Sequence, residues 1–240
     1  MRKFYPFQKV LPMSLSRLLL SFGALALPAL LYAPAQAANL GLSVDAGTTG
    51  VGAHVSTALA PSLNLRAGMN YLSHTFDRSA GGVDYDLKLT LHTVDVLADW
   101  YVVPGSQFRI SAGAVYNGNT FDALALPDAR GNYQLNGRAY SAAQVGKLSG
   151  SIDFRKTAPY LGIGWGNPFG QTGKWHVNAD LGATFQGKAS VRLTNSGCTA
   201  ISAACTLLAR DIAEEQAELA GDLDAMRVYP VLRIGISYQF

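Results

Sequence analysis

The chain is poor in the residues on which most catalytic and metal sites depend. Its 240 residues include two cysteines and four histidines, with no CxxC pair and no cluster of histidines. Structural zinc sites need about four cysteine or histidine ligands close together, so we predict no metal, no cofactor and no redox centre. The GxSxG sequence that presents the nucleophile of one hydrolase class is also missing.

Long apolar runs are equally scarce, and the one that exists lies near the start of the chain. Leu18–Tyr32 is mostly apolar, and small residues suited to a cleavage site follow at Ala35 and Ala37. Four basic residues precede or open the run: Arg2, Lys3, Lys9 and Arg17. This order predicts a secretory signal peptide over residues 1–37, cleaved between Ala37 and Ala38.

Two alternatives concern this segment. It could stay attached as a membrane anchor, although it is shorter than the ~20 apolar residues of a spanning helix and Pro28 interrupts it. Met13 could be the true first residue, because the basic part is otherwise long for a signal peptide.

Little net charge remains once residues 1–37 are removed. The mature chain, residues 38–240, has 15 basic and 16 acidic residues, so its formal charge is −1 instead of the +3 of the full chain. It has no basic stripe of the kind that neutralises phosphates, so we predict no nucleic-acid partner. It also has no second apolar run near 18 residues, so we predict no transmembrane helix.

What the mature chain has in abundance is alternation of apolar and polar residues with a period of two, which indicates β-strands. In Leu63–Tyr71, apolar side chains alternate with asparagine, arginine and glycine. The same pattern recurs in four later segments, at Gln107–Gly118, Tyr160–Gly166, Lys174–Gly187 and Val228–Phe240. Most of these segments have about the ten residues that a tilted strand needs to cross a bilayer.

Aromatic residues and loop lengths both favour a membrane barrel. Aromatics occur near the ends of the apolar faces, as in the interface girdles of such barrels: Tyr71, Phe108, Tyr116, Trp165, Trp175, Phe185 and Phe240. The connections alternate between short ones at 60–62, 104–105 and 168–173, and longer ones at 77–82, 119–157 and 189–227. Short turns on one side and long loops on the other are typical of outer-membrane barrels.

We therefore predict an all-β fold: one antiparallel up-and-down transmembrane barrel of eight strands, formed by residues 38–240. The count depends on Gly47–Gly50, which is either a tight hairpin between Asn39–Gly47 and Val51–Leu59 or a bulge within one strand. The alternation also changes phase within Val83–Val103, which predicts a bulge near His92–Thr93.

The whole mature chain resembles the small outer-membrane β-barrels of Gram-negative bacteria, including OmpA-like and OmpW-like barrels. The stretch GTTGVGAHVSTALAPSLNLRAGMNY (residues 47–71) and the ending YPVLRIGISYQF (residues 229–240) carry the resemblance best. It implies the fold and an integral position in the cell outer membrane. It does not imply one activity, because the fold hosts many.

The last strand has a further implication under this resemblance. Ile234, Ile236, Tyr238 and Phe240 share its apolar face, and together they resemble the terminal signal read by the barrel assembly machinery. The expected partners are that machinery during biogenesis, and outer-membrane lipid and lipopolysaccharide afterwards. We expect a monomer.

The inward faces are predicted to be charged. They supply Arg66, Lys88, His92, Asp95, Asp99, Arg109, His176, Asp180 and Arg233. Eight strands enclose a space that side chains can fill, and buried charges must be paired, so we predict a charge network that closes the lumen. Its members are Arg66, Asp95, Asp99, Arg109, Asp180 and Arg233, with Asp95 or Asp99 bound to Arg66 and Arg109, and Asp180 bound to Arg233. An ion or solute path is the alternative.

The two long loops are predicted to be folded. Cys198 and Cys205 are expected to form a disulfide in an exported protein, and Asn136-Gly137 predicts a hairpin. Residues 209–226 predict a short amphipathic helix that packs at the barrel mouth, with its acidic residues, Asp211 among them, in solvent. Alternatively, those acids bind divalent cations that bridge lipopolysaccharide, or a cationic ligand.

Three functions follow. The first is a non-enzymatic structural or surface-interaction barrel with a largely plugged lumen. The second is an OmpW-like carrier or channel for small hydrophobic molecules, with an apolar pocket near Leu72, Phe76 and Val115. The third, a lipid-modifying enzyme, is not favoured, because Ser73 and His74 are adjacent on a strand and therefore point to opposite faces.

Overall fold

A computed structural model describes residues 40–80, 83–103, 105–170 and 173–240. The predicted signal peptide at 1–37, its cleavage site and Met13 lie outside the described residues. No helix within these ranges is both long and apolar enough to cross a membrane.

The described residues form thirteen strands and two α-helices. In chain order they are β1 (Leu40–Gly47), β2 (Gly50–Ala60), β3 (Leu63–Ala80), β4 (Val83–Trp100), β5 (Phe108–Asn117), β6 (Thr120–Leu126), β7 (Asn132–Leu135), β8 (Arg138–Ser141), α1 (Ala142–Val145), β9 (Leu148–Asp153), β10 (Thr157–Trp165), β11 (Trp175–Phe185), β12 (Ser190–Asn195), α2 (Ser202–Asp222) and β13 (Val228–Gln239). A 3-10 turn, Leu223–Arg227, joins α2 to β13.

Eight of these strands close into an antiparallel barrel. β1 to β5 pair in sequence, β5 pairs with β10, β10 with β11, and β11 with β13. β13 closes the ring by pairing with β1, where Val44 lies opposite Ile236. The eight-stranded barrel is confirmed, and Gly47–Gly50 is the tight hairpin, because Gly47 pairs with Gly50 around the two-residue turn Thr48-Thr49.

The wall of the barrel is apolar outside and polar inside. Leu40 and Gln239 lie at one end, which we call the terminal end, and the long connections lie at the other, the loop end. Exposed aromatics at the terminal end are Trp100, Phe108, Trp165, Trp175 and Phe240, and those towards the loop end are Tyr71 and Phe185. Valine, leucine and isoleucine occupy the outward positions between them.

The predicted bulge near His92–Thr93 is wrong. β4 pairs with β3 without a shift from Val83 to Trp100, and its odd-numbered side chains from Leu87 to Asp99 point inward. Lys88 and His92, predicted to face inward, are therefore on the outer face and exposed. The apparent change of phase is instead a reversal of polarity. Towards the loop end of β4, the apolar belt ends at Val94, and the outer face is polar at the residues that precede it.

The strands continue past the belt as a second sheet, which we call the sheet extension. β3 and β4 run on to Ala80 and Val83, so the segment 77–82 is mostly strand and not the loop that was predicted. β6 pairs with the early part of β4, β9 with β6, and β12 with β9. The inner face of this extension is apolar, with Leu87, Phe121 and Val191 buried.

A folded unit, which we call the cap, packs on that inner face. It consists of the hairpin β7–β8, α1 and α2, and it shares one apolar core with the extension: Ala125, Tyr133, Leu135, Tyr140, Val145, Leu148, Leu208 and Ile212. Asn136 and Gly137 both have positive φ, 47° and 74°, as the predicted asparagine-glycine hairpin requires. Ser141 precedes α1, but its side chain makes no capping hydrogen bond.

The predicted helix and disulfide are present in the cap. α2 begins at Ser202, earlier than the predicted boundary, and ends at Asp222. Cys198 and Cys205 form the disulfide, which ties the segment before α2 to its first turn.

Candidate functional site in the barrel lumen

The six charged residues predicted for the lumen lie together at its centre. β3, β4, β5, β11 and β13 each contribute at least one inward side chain to this group. All six are at most 4% exposed: Arg66, Asp95, Asp99, Arg109, Asp180 and Arg233. We call them, with the two further residues described below, the lumen network.

Asp180 is the hub of the network. Its Oδ2 is 2.7 Å from Nη1 of Arg66, and its Oδ1 is 2.7 Å from Nη2 of Arg109. Arg233 reaches Oδ2 with Nε at 3.8 Å. Because Arg66 lies on β3 and Asp180 on β11, their contact spans the bore, and it adds to the Asp180–Arg233 pair that the sequence predicted.

The other two predicted carboxylates lie on either side of Leu97 on β4. Asp99 accepts from Arg66, with Nη2 to Oδ1 at 3.0 Å, and from the Ser111 hydroxyl at 2.5 Å. Nε of Arg109 is 3.5 Å from Asp99. Asp95 takes a different cation, with Oδ2 at 3.0 Å from Nη1 of Arg233.

Sequence reasoning missed two members of the network, Asp45 and His54. Nδ1 of His54 is 2.8 Å from Oδ2 of Asp45, and Nε2 is 3.1 Å from Oδ2 of Asp95 and 3.0 Å from Nη1 of Arg233. Both side chains are nearly fully buried. The alternation of β1 and β2 carries the signal, because each residue sits between outward apolar neighbours.

The completed network contains unequal numbers of carboxylate and guanidinium groups. Three guanidinium groups, Arg66, Arg109 and Arg233, face four carboxylates, Asp45, Asp95, Asp99 and Asp180. The carboxylates exceed the guanidiniums by one, and His54 lies between two of them. A protonated His54 would make the set neutral, which is the condition under which buried charges cost least.

Glycines on the inward faces make room for these large side chains. A Cβ on Gly68 would lie 2.3 Å from a ring carbon of His54, and one on Gly162 would lie 2.6 Å from the hydroxyl of Tyr160. Any larger residue at either position would displace its neighbour. Gly162 of β10 therefore makes room for the side chain of Tyr160.

The lumen contains little space on the loop-end side of the network. Leu97, Val115, Tyr160 and Val231 form an apolar layer there. A cavity of about 20 Å³, enough for about one water molecule, adjoins this layer. Its polar lining includes Thr49, Thr93, Asn117, Asn119, Thr184 and Gln186.

Gln186 links the loop end of the lumen to the 3-10 turn that follows α2. Its side-chain oxygen accepts a hydrogen bond of 3.0 Å from Asn117, and its nitrogen donates one of 2.8 Å to the carbonyl of Met226. At the terminal end, Asn64 donates to Tyr101 and to Asn167 at 3.2 and 3.3 Å. His176, predicted to face inward, lies near this end and contacts the carbonyl of Gly173 at 3.0 Å.

The cap has one buried charged side chain, and its predicted position in solvent is wrong. Asp211 of α2, expected in solvent with the other acids, is fully buried. Its carboxylate accepts from the Tyr140 hydroxyl at 2.5 Å and from Nη1 of Arg138 at 2.6 and 2.8 Å. The hydrogen bond from Tyr140, followed by that from Arg138, lowers the pKa of Asp211.

The residues predicted as an assembly signal share the outer face of β13. Ile234, Ile236 and Phe240 are exposed there. Tyr238 packs edge-on against Trp175 and Phe240, with ring centroids 4.9 and 5.1 Å apart. Their placement is that of an aromatic girdle, and their role in assembly stays a prediction.

Similarity to known proteins is visible in structure alone. No protein family matches the sequence, and no curated protein does. The crystal structures of Acinetobacter baumannii CarO2 and CarO match with TM-scores of 0.55 and 0.53 at 20% and 22% identity; each match covers 84% of this chain and 98% of the other. A major outer membrane protein of Thermus thermophilus matches with a TM-score of 0.43 at 17% identity, over 85% of this chain and 100% of the other. At this level of identity the CarO structures establish a shared fold, that of a small outer-membrane barrel.

Proposed function

We propose that the protein is an integral outer-membrane barrel that does not conduct, and that it serves a structural or surface-interaction role through its cap. The observation that carries the proposal is the lumen network. Its side chains reach into the bore from seven strands, with Arg66 bound to Asp180 on the far side. The neighbouring cavity of about 20 Å³ has room for about one water molecule.

The outer surface supports the location. Exposed apolar side chains cover the outward positions of all eight barrel strands, with aromatics towards both ends. A water-soluble protein rarely exposes so large an apolar patch, whereas a barrel in a bilayer requires one. Lipid and lipopolysaccharide are then the permanent neighbours of the wall, and the assembly machinery is the partner during insertion.

The folded structure of the cap supports the proposed surface-interaction role. It shares an apolar core with the sheet extension, and it has a disulfide and an ion pair between buried Asp211 and half-exposed Arg138. Mere connecting loops do not need such a core, and long loops with structure of their own are commonly functional. The exposed acidic side of α2, with Glu214, Glu218 and Asp222, is part of this surface.

Conductance across a planar lipid bilayer tests the closed lumen. We expect the purified, folded protein to give no steady current. The paired variant Arg109→Ala/Asp180→Ala, which removes one positive and one negative charge from the lumen and so leaves the net charge unchanged, should give a measurable current. The matched control is Arg227→Ala/Asp224→Ala, which removes an exposed ion pair from the segment after α2 and should stay silent. A steady current from the unmodified protein would overturn the proposal.

The carrier hypothesis rests on a different observation. Leu72, His74 and Phe76 lie on the inner face of β3 beyond the belt, where Leu72 is 40% exposed. Native mass spectrometry of protein extracted from its own membrane separates the two functions. A small hydrophobic molecule that is retained reproducibly, and lost in Val115→Trp, would favour the carrier. A bare protein favours the closed barrel.

Catalysis is not part of the proposal. Ser73 and His74 lie on opposite faces of β3, since Ser73 pairs with outward Thr90 and His74 with inward Leu89. The imidazole of His74 stacks on Phe76 at 5.8 Å. Neither arrangement brings a nucleophile to a base, which acyl-transfer chemistry requires.

A further inference from the structure

The outer face of the sheet extension carries two ordered rows of polar side chains. The first row crosses all five strands through directly opposed residues: Thr75, Lys88, Asp122, Ser151 and Arg192. The second row, one step further from the barrel, contains Asp77, Asp86, Leu124, Ser149 and Thr194. None of these side chains takes part in the lumen network or in the core of the cap.

The two rows line a groove. Its volume is about 380 Å³, within the ~300–1,000 Å³ range of small-molecule sites. Side chains on its walls include Thr75, Asp86, Lys88, Asp122, Leu124, Ser149, Ser151 and Thr194, and the backbone of Ala123 and Gly150, whose side-chain positions face the inner side of the sheet, forms its floor. The groove is therefore rich in hydroxyl groups, with two carboxylates and one ammonium group.

The opposed charges of the groove do not close it. Lys88 and Asp122 lie directly opposite each other on β4 and β6. Within the described residues, neither has an ion-pair partner within 4.0 Å. An acceptor and a donor thus face the same space, where a ligand with hydroxyl groups can contact both.

The groove lies at a definite height on the wall. On β4, Val94 is the belt residue nearest the loop end. Lys88 lies six positions further towards the loop end, or about 20 Å along the strand. With the usual tilt of barrel strands, the groove lies roughly 15 Å beyond the hydrocarbon layer. Its face continues the membrane-facing side of the barrel, so it points sideways, towards whatever surrounds the protein at that height.

The geometry points to a binding site for the saccharide part of an outer-leaflet glycolipid. Above the hydrocarbon, the lateral neighbours of an outer-membrane barrel are the sugars of lipopolysaccharide, whose hydroxyl groups both donate and accept. Carboxylates and hydroxyls on a floor of glycine and alanine can meet several sugar hydroxyls at once, and Lys88 adds a contact for a sugar-linked phosphate. This inference rests on the proposed location in the outer membrane.

The test uses core oligosaccharide released from purified lipopolysaccharide, which carries no acyl chains. Binding to the folded protein in detergent micelles is measured by isothermal titration calorimetry. Ser151→Trp, which fills the groove from a partly exposed position, and Asp122→Ala should each weaken binding at least tenfold. The matched control, Thr206→Trp on the exposed side of α2, should bind as the unmodified protein does.

Further arms separate the possible failures. Folding of each variant is checked by heat-dependent migration in gels, and membrane insertion by fractionation of cells. Oligosaccharide binding that is absent, or unchanged in both groove variants, overturns the saccharide site. If lipid A alone binds as well as the complete glycolipid, the contact lies at the belt and the site is again overturned. A protein that never reaches the outer membrane refutes the proposed function itself, even where oligosaccharide binding is normal.

Discussion

The barrel wall and the sheet extension share β3 and β4, whose two faces have opposite polarity in the two regions. On β4, Asp95 and Asp99 point inward and Val96 and Trp100 outward, whereas eight residues before Asp95 and Val96, Leu87 points inward and Lys88 outward. Strand geometry is the same in both parts, since β3 and β4 stay in register from end to end. What differs is the surroundings, lipid for one part and water for the other, and the residues follow the surroundings.

The two regions also bury charge in different ways. The lumen buries eight ionisable groups that share partners, so that Asp180 contacts three arginines. The cap buries one carboxylate, Asp211, whose partner Arg138 is half exposed. The lumen has few apolar contacts, so its stability depends on ion pairs and hydrogen bonds among its charged groups. The cap has an apolar core, and its buried carboxylate adds one local ion pair.

The largest effect is expected from removing the hub of the lumen. Asp180→Ala leaves Arg66 and Arg109 without their closest carboxylate, and an uncompensated buried charge costs about 3–5 kcal/mol of the free energy of unfolding. Urea unfolding in micelles, followed by tryptophan fluorescence, measures the loss. The paired variant Arg109→Ala/Asp180→Ala should cost less than the single variant. A single variant as stable as the parent would show that the network does not hold the barrel.

The next prediction places the boundary between the two regions. Val96→Lys puts a charge on the outer face near the middle of the belt, which costs about 2–4 kcal/mol in a barrel wall. Thr90→Lys makes a similar change six positions earlier on the same face, and it should cost almost nothing because that face meets water there. Refolding titrations into lipid vesicles compare the two variants. Equal costs would mean that the belt does not end near Val94.

Much of the barrel was predictable from alternation, because a strand with lipid on one side and a polar interior on the other needs a period of two. Reversal of polarity was not predictable in the same way. A strand that leaves the bilayer and a strand with a bulge produce the same change of phase, which is why Lys88 and His92 were placed on the wrong face. Only the unbroken pairing of β3 with β4 separates the two cases.

The residues of the candidate site could be predicted from the sequence more readily than the contacts between them. The inward positions of six charged residues follow from alternation, but their partners depend on how tilt and stagger align strands across the bore. That geometry brings Arg66 to Asp180, which no spacing in the sequence encodes. Asp45 and His54 could have been found by carrying the alternation through the Gly47–Gly50 hairpin.

The smallest effect concerns the cap, and it separates the two regions by pH. The folded-state pKa of Asp211 is lowered by Tyr140 and Arg138. Its stabilisation is therefore fully present above the ordinary carboxyl pKa and is lost as the pH falls through the lowered value. Asp211→Asn removes this dependence, and it should cost about 1–3 kcal/mol of cap stability at neutral pH because the Tyr140 hydroxyl and Arg138 lose a charged acceptor.

Hydrogen exchange of the α2 amides, followed from neutral pH to about pH 3, measures this loss of cap stability. In the parent protein, protection should fall on acidification while the β4–β5 amides remain protected; in Asp211→Asn, protection should be lower throughout and nearly independent of pH. An equal acid response in both proteins would mean that another carboxylate fastens the cap.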